Sequence, residues 1–250
     1  MVKAVLLDMA GVLYQGDHAV TGSVPALARL RDLGLPLRFV TNTSRRSRSQ
    51  LLSALEAMGF SLSADELFTA PCAAAAYLEA RGLSPLLLVD QAVREDFPAT
   101  RGAPDAVVIA DSPDNLDYAN LDHAFRLLMA GAPLVAIGDN RYFRADDGLH
   151  LDAGPFVRAL EYAAGVDAVI AGKPASTFFL EVLADLGVSP EDTVMVGDDV
   201  MADVAGARRV GMDAVLVRTG KYRADDERQL TPPAPVVANL AAAVDWIERL

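Results

Sequence analysis

Lys3-Ala4-Val5-Leu6-Leu7-Asp8-Met9-Ala10-Gly11-Val12-Leu13-Tyr14 is the stretch whose reading decides the fold. Ala4 to Leu7 is a short apolar run, of the length and composition that suit a strand buried on both faces of a parallel sheet. The run stops at Asp8, and Gly11 follows three residues later. Glycine lets the backbone turn sharply there and expose its N–H groups. In open α/β sheets, ligands bind outside the carboxyl ends of the strands, and Asp8 falls at such an end. Taken alone, the stretch is read equally well with Asp8 as a polar residue that merely ends a strand.

Working outward, the chain alternates helical and strand patterns. Val24, Leu27, Ala28 and Leu30 give helical spacing over 21–31, with Pro25 near the front and Gly34 past the end. A strand is read over 35–40, ending in Thr41-Asn42-Thr43-Ser44, then a helix over 46–58 stopped by Gly59. Ser63-Ala64-Asp65-Glu66 has the form of a capping box. Strands over 168–171, 193–196 and 214–217 and helices over 177–186 and 240–250 follow later, the last helix reached through the stiff run Pro232-Pro233-Ala234-Pro235. Such alternation means a parallel sheet. Between them, 71–165 has strand patterns of its own over 86–89, 106–109 and 134–137, with helices over 72–81, 116–129 and 155–163. The expected architecture is a Rossmann-like α/β core over 1–70 and 166–250, with a second α/β unit over 71–165 inserted into it.

Composition bounds the function. The chain has 250 residues and a net charge of −12, which argues against nucleic-acid or anionic-membrane partners, since both need basic patches. No apolar run approaches a membrane span, and the opening run meets Asp8 too soon for a signal peptide. The single cysteine, Cys72, forbids an intrachain disulfide and fits a reducing cytoplasm. It has no neighbouring His or Cys to make it a nucleophile.

Four expected strand ends deliver polar residues to one sheet edge: Asp8; Thr41 and Asn42; Lys173; and Asp198, Asp199 and Asp203. Carboxylates gathered there repel one another unless a cation joins them, and a hard divalent ion with oxygen ligands, most simply Mg²⁺, resolves the repulsion. One cation, one ammonium and the Thr and Asn donors make a pocket for a dianionic phosphoryl group. In that pocket Asp8 would attack phosphorus to give an aspartyl-phosphate that water hydrolyses.

At these residues the chain resembles the haloacid dehalogenase superfamily of phosphohydrolases. The inserted unit resembles the class IIA-type (C2) cap of the nucleotide- and pyridoxal-phosphate phosphatases. Asp8 to Tyr14, Phe39-Val40-Thr41-Asn42-Thr43, Ala124-Phe125-Arg126-Leu127-Leu128, Gly131-Ala132-Pro133-Leu134, Gly172-Lys173-Pro174 and Thr219-Gly220-Lys221-Tyr222-Arg223 are similar to the branch of phospholysine phosphohistidine inorganic pyrophosphate phosphatases and hydrolase-domain-containing relatives. The resemblance implies that Asp8 is the nucleophile and a metal ligand, that Ala10 offers a backbone carbonyl to the metal, and that Thr41 and Asn42 hold the phosphoryl oxygens. It further implies that Lys173 neutralises Asp8 and the phosphate, that Asp198 binds Mg²⁺, and that Asp203 ligates or supports it. It also implies a small phosphorylated substrate and a homodimer formed through the cap.

One position departs from the pattern. Superfamily phosphatases usually carry a second Asp two residues after the nucleophile, as general acid and then base; this chain has Ala10. A positioned proton donor is worth about 10²–10⁴-fold. The expectation is therefore a slow phosphatase biased toward phosphoramidate- or pyrophosphate-like groups, whose leaving groups need less help. The serious rival is a silent binding protein that keeps the fold and metal site. A carbon–halogen hydrolase is disfavoured by the Gly197-Asp198-Asp199 motif, and a phospho-receiver by chain length.

Other candidates have simpler readings. Thr43-Ser44-Arg45-Arg46-Ser47-Arg48 is a basic cluster at a helix start that either faces an anion or is a solvated surface. His18, His123 and His150 show no metal spacing. Asp146-Asp147-Gly148 reads as a turn rather than a calcium loop, and Leu151 to Pro155 as a Gly-Pro helix entry. Asp199 is either a ligand or a helix cap.

Overall fold

The structure, a computed structural model, describes residues 2–145 and 147–250, and for 143–145 the backbone alone. Two sheets carry the chain. Their strands in chain order are β1 (Ala4–Asp8), β2 (Leu37–Thr41), β3 (Leu67–Thr69), β4 (Pro85–Leu88), β5 (Ala106–Ile109), β6 (Leu134–Ala136), β7 (Val169–Ile170), β8 (Thr193–Gly197), β9 (Asp213–Val217) and β10 (Val236–Val237). The larger sheet has the order β10-β9-β8-β1-β2-β3, the smaller β7-β6-β5-β4. The fold is therefore the α/β class with a parallel-sheet core that the alternation predicts.

β1 lies between β8 and β2 and runs parallel to both, with Leu7 opposite Val196 and Asp8 opposite Val40. All five of its residues are buried, as the uninterrupted apolar run requires of a central parallel strand. Leu27 and Leu30 of helix Ser23–Asp32 and Val244 and Ile247 of helix Leu240–Ile247 join Val5, Leu7 and Phe39 in one apolar cluster. Arg29 ties these two helices by ion pairs of 2.6 Å to Asp245 and Glu248. Leu88, Val107, Ile109, Leu128, Val157 and Leu160 form a separate cluster on the smaller sheet.

The chain divides into two compact units. The first holds residues up to Thr41, Ser49–Phe68 and Lys173–Leu250; the second holds Asn42–Arg48 and Thr69–Gly172. The return expected at residue 166 thus falls at Lys173. The run 168–171 is apolar enough for either sheet, and its pairing decides the matter: Val169 and Ile170 lie beside Val135 and Ala136 of β6. The segment 42–48 joins the second unit because Arg45 pairs with Asp111 at 2.6 Å and the Arg48 N–H donates to Asp96 at 3.0 Å.

Several elements escaped the sequence reading, the three-residue β3 among them. β10 follows directly on the proline run; it is a two-residue edge strand, the place where a proline-flanked segment is tolerated. Two short antiparallel hairpins, Tyr14–Gln15 with His18–Ala19 and Tyr142–Ala145 with Gly148–Leu151, are too brief for a period-2 signal. Asp147 and Gly148 lie at the turn end of the second hairpin, while Asp146 is outside the described residues. The Ser63–Glu66 capping box is present, but it opens a single 3₁₀ turn, and Arg31 also grips Glu66 at 2.5 Å. Among the described residues no helix is long and apolar enough to cross a membrane.

Packing at the first unit's helices leaves no room at Gly206. A Cβ there would lie 2.6 Å from the ring of Phe179, which is fully buried, and 3.1 Å from Pro174 Cα. The backbone at Gly206 is right-handed helical, so the cost of a side chain is steric alone. Gly206→Ala is expected to lower unfolding stability by about 1–3 kcal/mol, as overpacked cores do, measurable by urea denaturation.

Candidate active site

Three of the predicted residues converge because the sheet order puts their strands side by side. Asp8 ends β1, Asp198 follows β8, and Thr41, buried, ends β2. Lys173, also buried, donates from Nζ to Asp8 Oδ1, to Asp203 Oδ1 at 2.6 Å and to the Val40 carbonyl at 3.4 Å. Asp203 arrives through a wide, π-type turn over Val200–Ala205, in which the Val204 N–H reaches the Asp199 carbonyl five residues back at 3.3 Å. Such turns recur at functional sites. The other Asp203 oxygen accepts the Asp199 N–H at 3.1 Å.

Asp199 resolves the choice left by its sequence position toward capping. Its Oδ1 accepts the N–H groups of Met201 and Ala202 at 3.0 and 2.9 Å. Ala10 is exposed in the turn after β1. The N–H groups of Val12, Leu13 and Tyr14 all converge on the Met9 carbonyl, and Gly11 N–H donates to Tyr14 O. The Ala10 carbonyl takes part in none of these bonds. Asn42 belongs to the second unit, where a Cβ on Gly172 would come within 2.7 Å of its Oδ1.

Lys221 is the site residue that sequence reasoning missed. Its N–H donates to Asp198 Oδ2 at 2.6 Å and its Nζ stands 3.5 Å from Asp199 Oδ2. It lies four residues past the end of β9, in a stretch opened by Thr219 and Gly220, and that strand end was the available signal. A Cβ on Gly220 or on Gly11 would strike the Asp198 carboxylate, and one on Gly197 would strike Asp203. Gly11 and Gly220 both have positive φ, 91° and 65°, so these places need glycine for conformation as well as for room.

Four carboxylates, Asp8, Asp198, Asp199 and Asp203, therefore face two ammonium groups, Lys173 and Lys221. Burial pushes the Asp8 carboxyl up, with the Asp198 charge adding to it against the pull of Lys173. Burial likewise raises Asp198 to about 6, and raises Asp203 to about 6 with the help of the Asp8 charge. Burial opposes the Lys173 charge, but Asp203 and Asp8 outweigh it and hold the ammonium well above its ordinary range. Burial also raises Asp199, yet the Ala202 and Met201 N–H groups and Lys221 bring it below the usual range. One oxygen from each of Asp8, Asp198 and Asp203 lies within 4.8 Å of the others, and all three residues are buried. The excess of two negative charges and the all-oxygen donor set fit one hard divalent cation.

The raised carboxyls give a pH signature. A carboxyl with a raised folded pKa costs stability above that value, and the cost fades as pH falls toward its ordinary 3.8. In chelator, Asp198→Asn is therefore expected to stabilise the protein at pH 8 by about 1–3 kcal/mol, with the gain gone near pH 4. Urea titrations across that range check it; a gain that grows on acidification would contradict this electrostatic account.

The chain's relatives are haloacid dehalogenase-like hydrolases and phosphatases. The model of the "Haloacid dehalogenase-like hydrolase" family matches residues 5–99, and a second, HAD-hydrolase-like, matches residues 170–243. Haloacid dehalogenase-like hydrolase domain-containing protein 2 of Homo sapiens is 48% identical over 233 residues, 93% of this chain and 90% of that protein. The phospholysine phosphohistidine inorganic pyrophosphate phosphatase of Homo sapiens is 43% identical over 254 residues, covering 98% and 94%. Among solved structures, the p-nitrophenyl phosphatase from Archaeoglobus fulgidus superposes with a TM-score of 0.89 at 25% identity, over 98% of this chain and 99% of that one. A glycerol phosphate phosphatase from Mycobacterium tuberculosis in complex with magnesium superposes with a TM-score of 0.83 at 27% identity, over 96% and 76%. The chain belongs to the haloacid dehalogenase-like hydrolases, in their class IIA branch.

Proposed function

We propose that this chain, a phosphatase-type hydrolase by its family, is a Mg²⁺-dependent phosphohydrolase that acts through an aspartyl-phosphate on a small phosphorylated molecule. The observation that carries the reading is the buried Asp8–Lys173–Asp203 ion-pair chain beside Asp198. Asp8, Asp198 and Asp203, with the Ala10 carbonyl, would hold the cation, which supplies positive charge to offset that of the phosphoryl oxygens. Asp8 Oδ attacks phosphorus, a P–O or P–N bond to the leaving group breaks, and water then hydrolyses the acyl phosphate, regenerating the carboxylate. Lys173 keeps Asp8 ionised and balances phosphoryl charge, and Thr41 donates to a phosphoryl oxygen. Asn42 contributes a second donor. The phosphatases named above, one acting on pyrophosphate and one solved with magnesium, support the reading.

Ala10 sets the bias. With no carboxylic acid at that place, the leaving group must depart without a proton from it, so phosphoramidates and pyrophosphate turn over faster than alkyl phosphates. The second unit serves as the cap that excludes water and selects substrate, and a homodimer through it accompanies the reading. A metal-bound fold kept only for binding is not favoured, since the relatives include named phosphatases.

Phosphate release with Mg²⁺ on a phosphoramidate, pyrophosphate and an alkyl phosphate tests this. Asp8→Asn and chelator are each expected to remove at least about 10³-fold of the activity. Ala10→Asp is expected to raise alkyl phosphate turnover by about 10²-fold, the lower end of what a positioned proton donor supplies. Release unaffected by Asp8→Asn sinks the mechanism, and equal or better turnover of the alkyl ester by the unmodified protein sinks the bias.

A further inference from the structure

A cavity of about 640 Å³ opens in the first unit, lined by Gln15, His18, Thr21, Arg218, Thr219 and Asn239 among others. No carboxylate lines it, although the chain carries a net charge of −12. The Arg218 guanidinium is exposed and, among the described residues, pairs with no acid; the exposed His18 ring is likewise without a partner. The hydroxyl of Thr219 is buried with no hydrogen-bond partner. A buried hydroxyl left without a partner calls for an explanation, such as a ligand. Asn239 spends its Oδ1 on the Ala242 N–H at 3.1 Å, which leaves its NH₂ as a donor.

We infer that this cavity is a second binding site, distinct from the carboxylate cluster, for a small oxyanion-bearing molecule whose phosphate or carboxylate group rests on Arg218. Guanidinium groups pair with both anions through two parallel N–H···O bonds. Thr219, Asn239 and Gln15 supply the neutral donors that a hydroxylated or amide-bearing remainder needs. An occupant also bears on the loop that holds the carboxylate cluster, because Thr219 and Lys221 flank Gly220 and the Lys221 N–H holds Asp198.

Titration calorimetry in chelator tests the site without using catalysis, so its outcome is independent of the phosphatase reading. Without a cation the Asp8 cluster carries excess negative charge and repels anions, so inorganic phosphate, pyrophosphate and citrate probe the Arg218 cavity. Saturable binding is expected for the unmodified protein and for Asp8→Asn, weakened at least tenfold in Arg218→Ala and in Thr219→Val. Thr219→Val keeps the fold's thermal midpoint, since it deletes a hydroxyl that bonds to nothing. Preference for phosphate and pyrophosphate, or for citrate, decides which anion the site takes. Equal affinity in Arg218→Ala, loss of binding in Asp8→Asn, or no saturable binding of any probe overturns the inference.

Discussion

Like-charge repulsion inside a buried space is the constraint on which the rest of this structure depends. Asp8, Asp198 and Asp203 are each less than a tenth exposed, and charges taken out of water are costly unless paired. Lys173 bridges two of them, and three glycines stand where any side chain would collide with a carboxylate. The wide turn over Val200–Ala205 exists to bring Asp203 back under the sheet edge, and Asp199 is diverted to cap that turn. Local geometry that looks irregular is thus the consequence of a charge problem solved at one place.

Much of this was legible in the sequence for physical reasons that can be named. β1, β8 and β9 are apolar runs buried throughout or nearly so, and each ends in a polar or glycine-marked turn, so their edges read directly. Asp8, Thr41 and Asp198 were visible because strand ends of a parallel sheet share an edge; Lys173 was picked out by the same argument, although the strand before it pairs in the other sheet. Lys221 was not, because it sits in a loop whose partner, Asp198, is 23 residues away. β7 was visible as a strand but was read into the core sheet, whereas it pairs with β6: two residues of Val and Ile pair with whichever edge the tertiary fold offers. The hairpins failed for lack of length, and β10 was hidden by the prolines before it.

The basic segment 43–48 does more than face solvent. Arg45 and Arg48 are exposed, as a solvated surface requires, yet Arg45 also pairs with Asp111, itself nearly buried, and the Arg48 N–H donates to Asp96. These bonds fasten the segment within the second unit. An uncommitted cation lies elsewhere, at Arg218, where no run of basic residues advertises it.

The chain passes between its two units four times, at Thr41–Asn42, Arg48–Ser49, Phe68–Thr69 and Gly172–Lys173. Each unit has its own apolar cluster, so the inserted segment can drift, lengthen or be exchanged over evolutionary time without disturbing the register of β1. That freedom stops abruptly at two of these crossings, Thr41–Asn42 and Gly172–Lys173. A one-residue insertion or deletion there would slide Thr41 off the end of β2 or pull Lys173 away from Asp8 and Asp203, so the lineage can experiment with the insert's interior while these two crossings stay fixed in length.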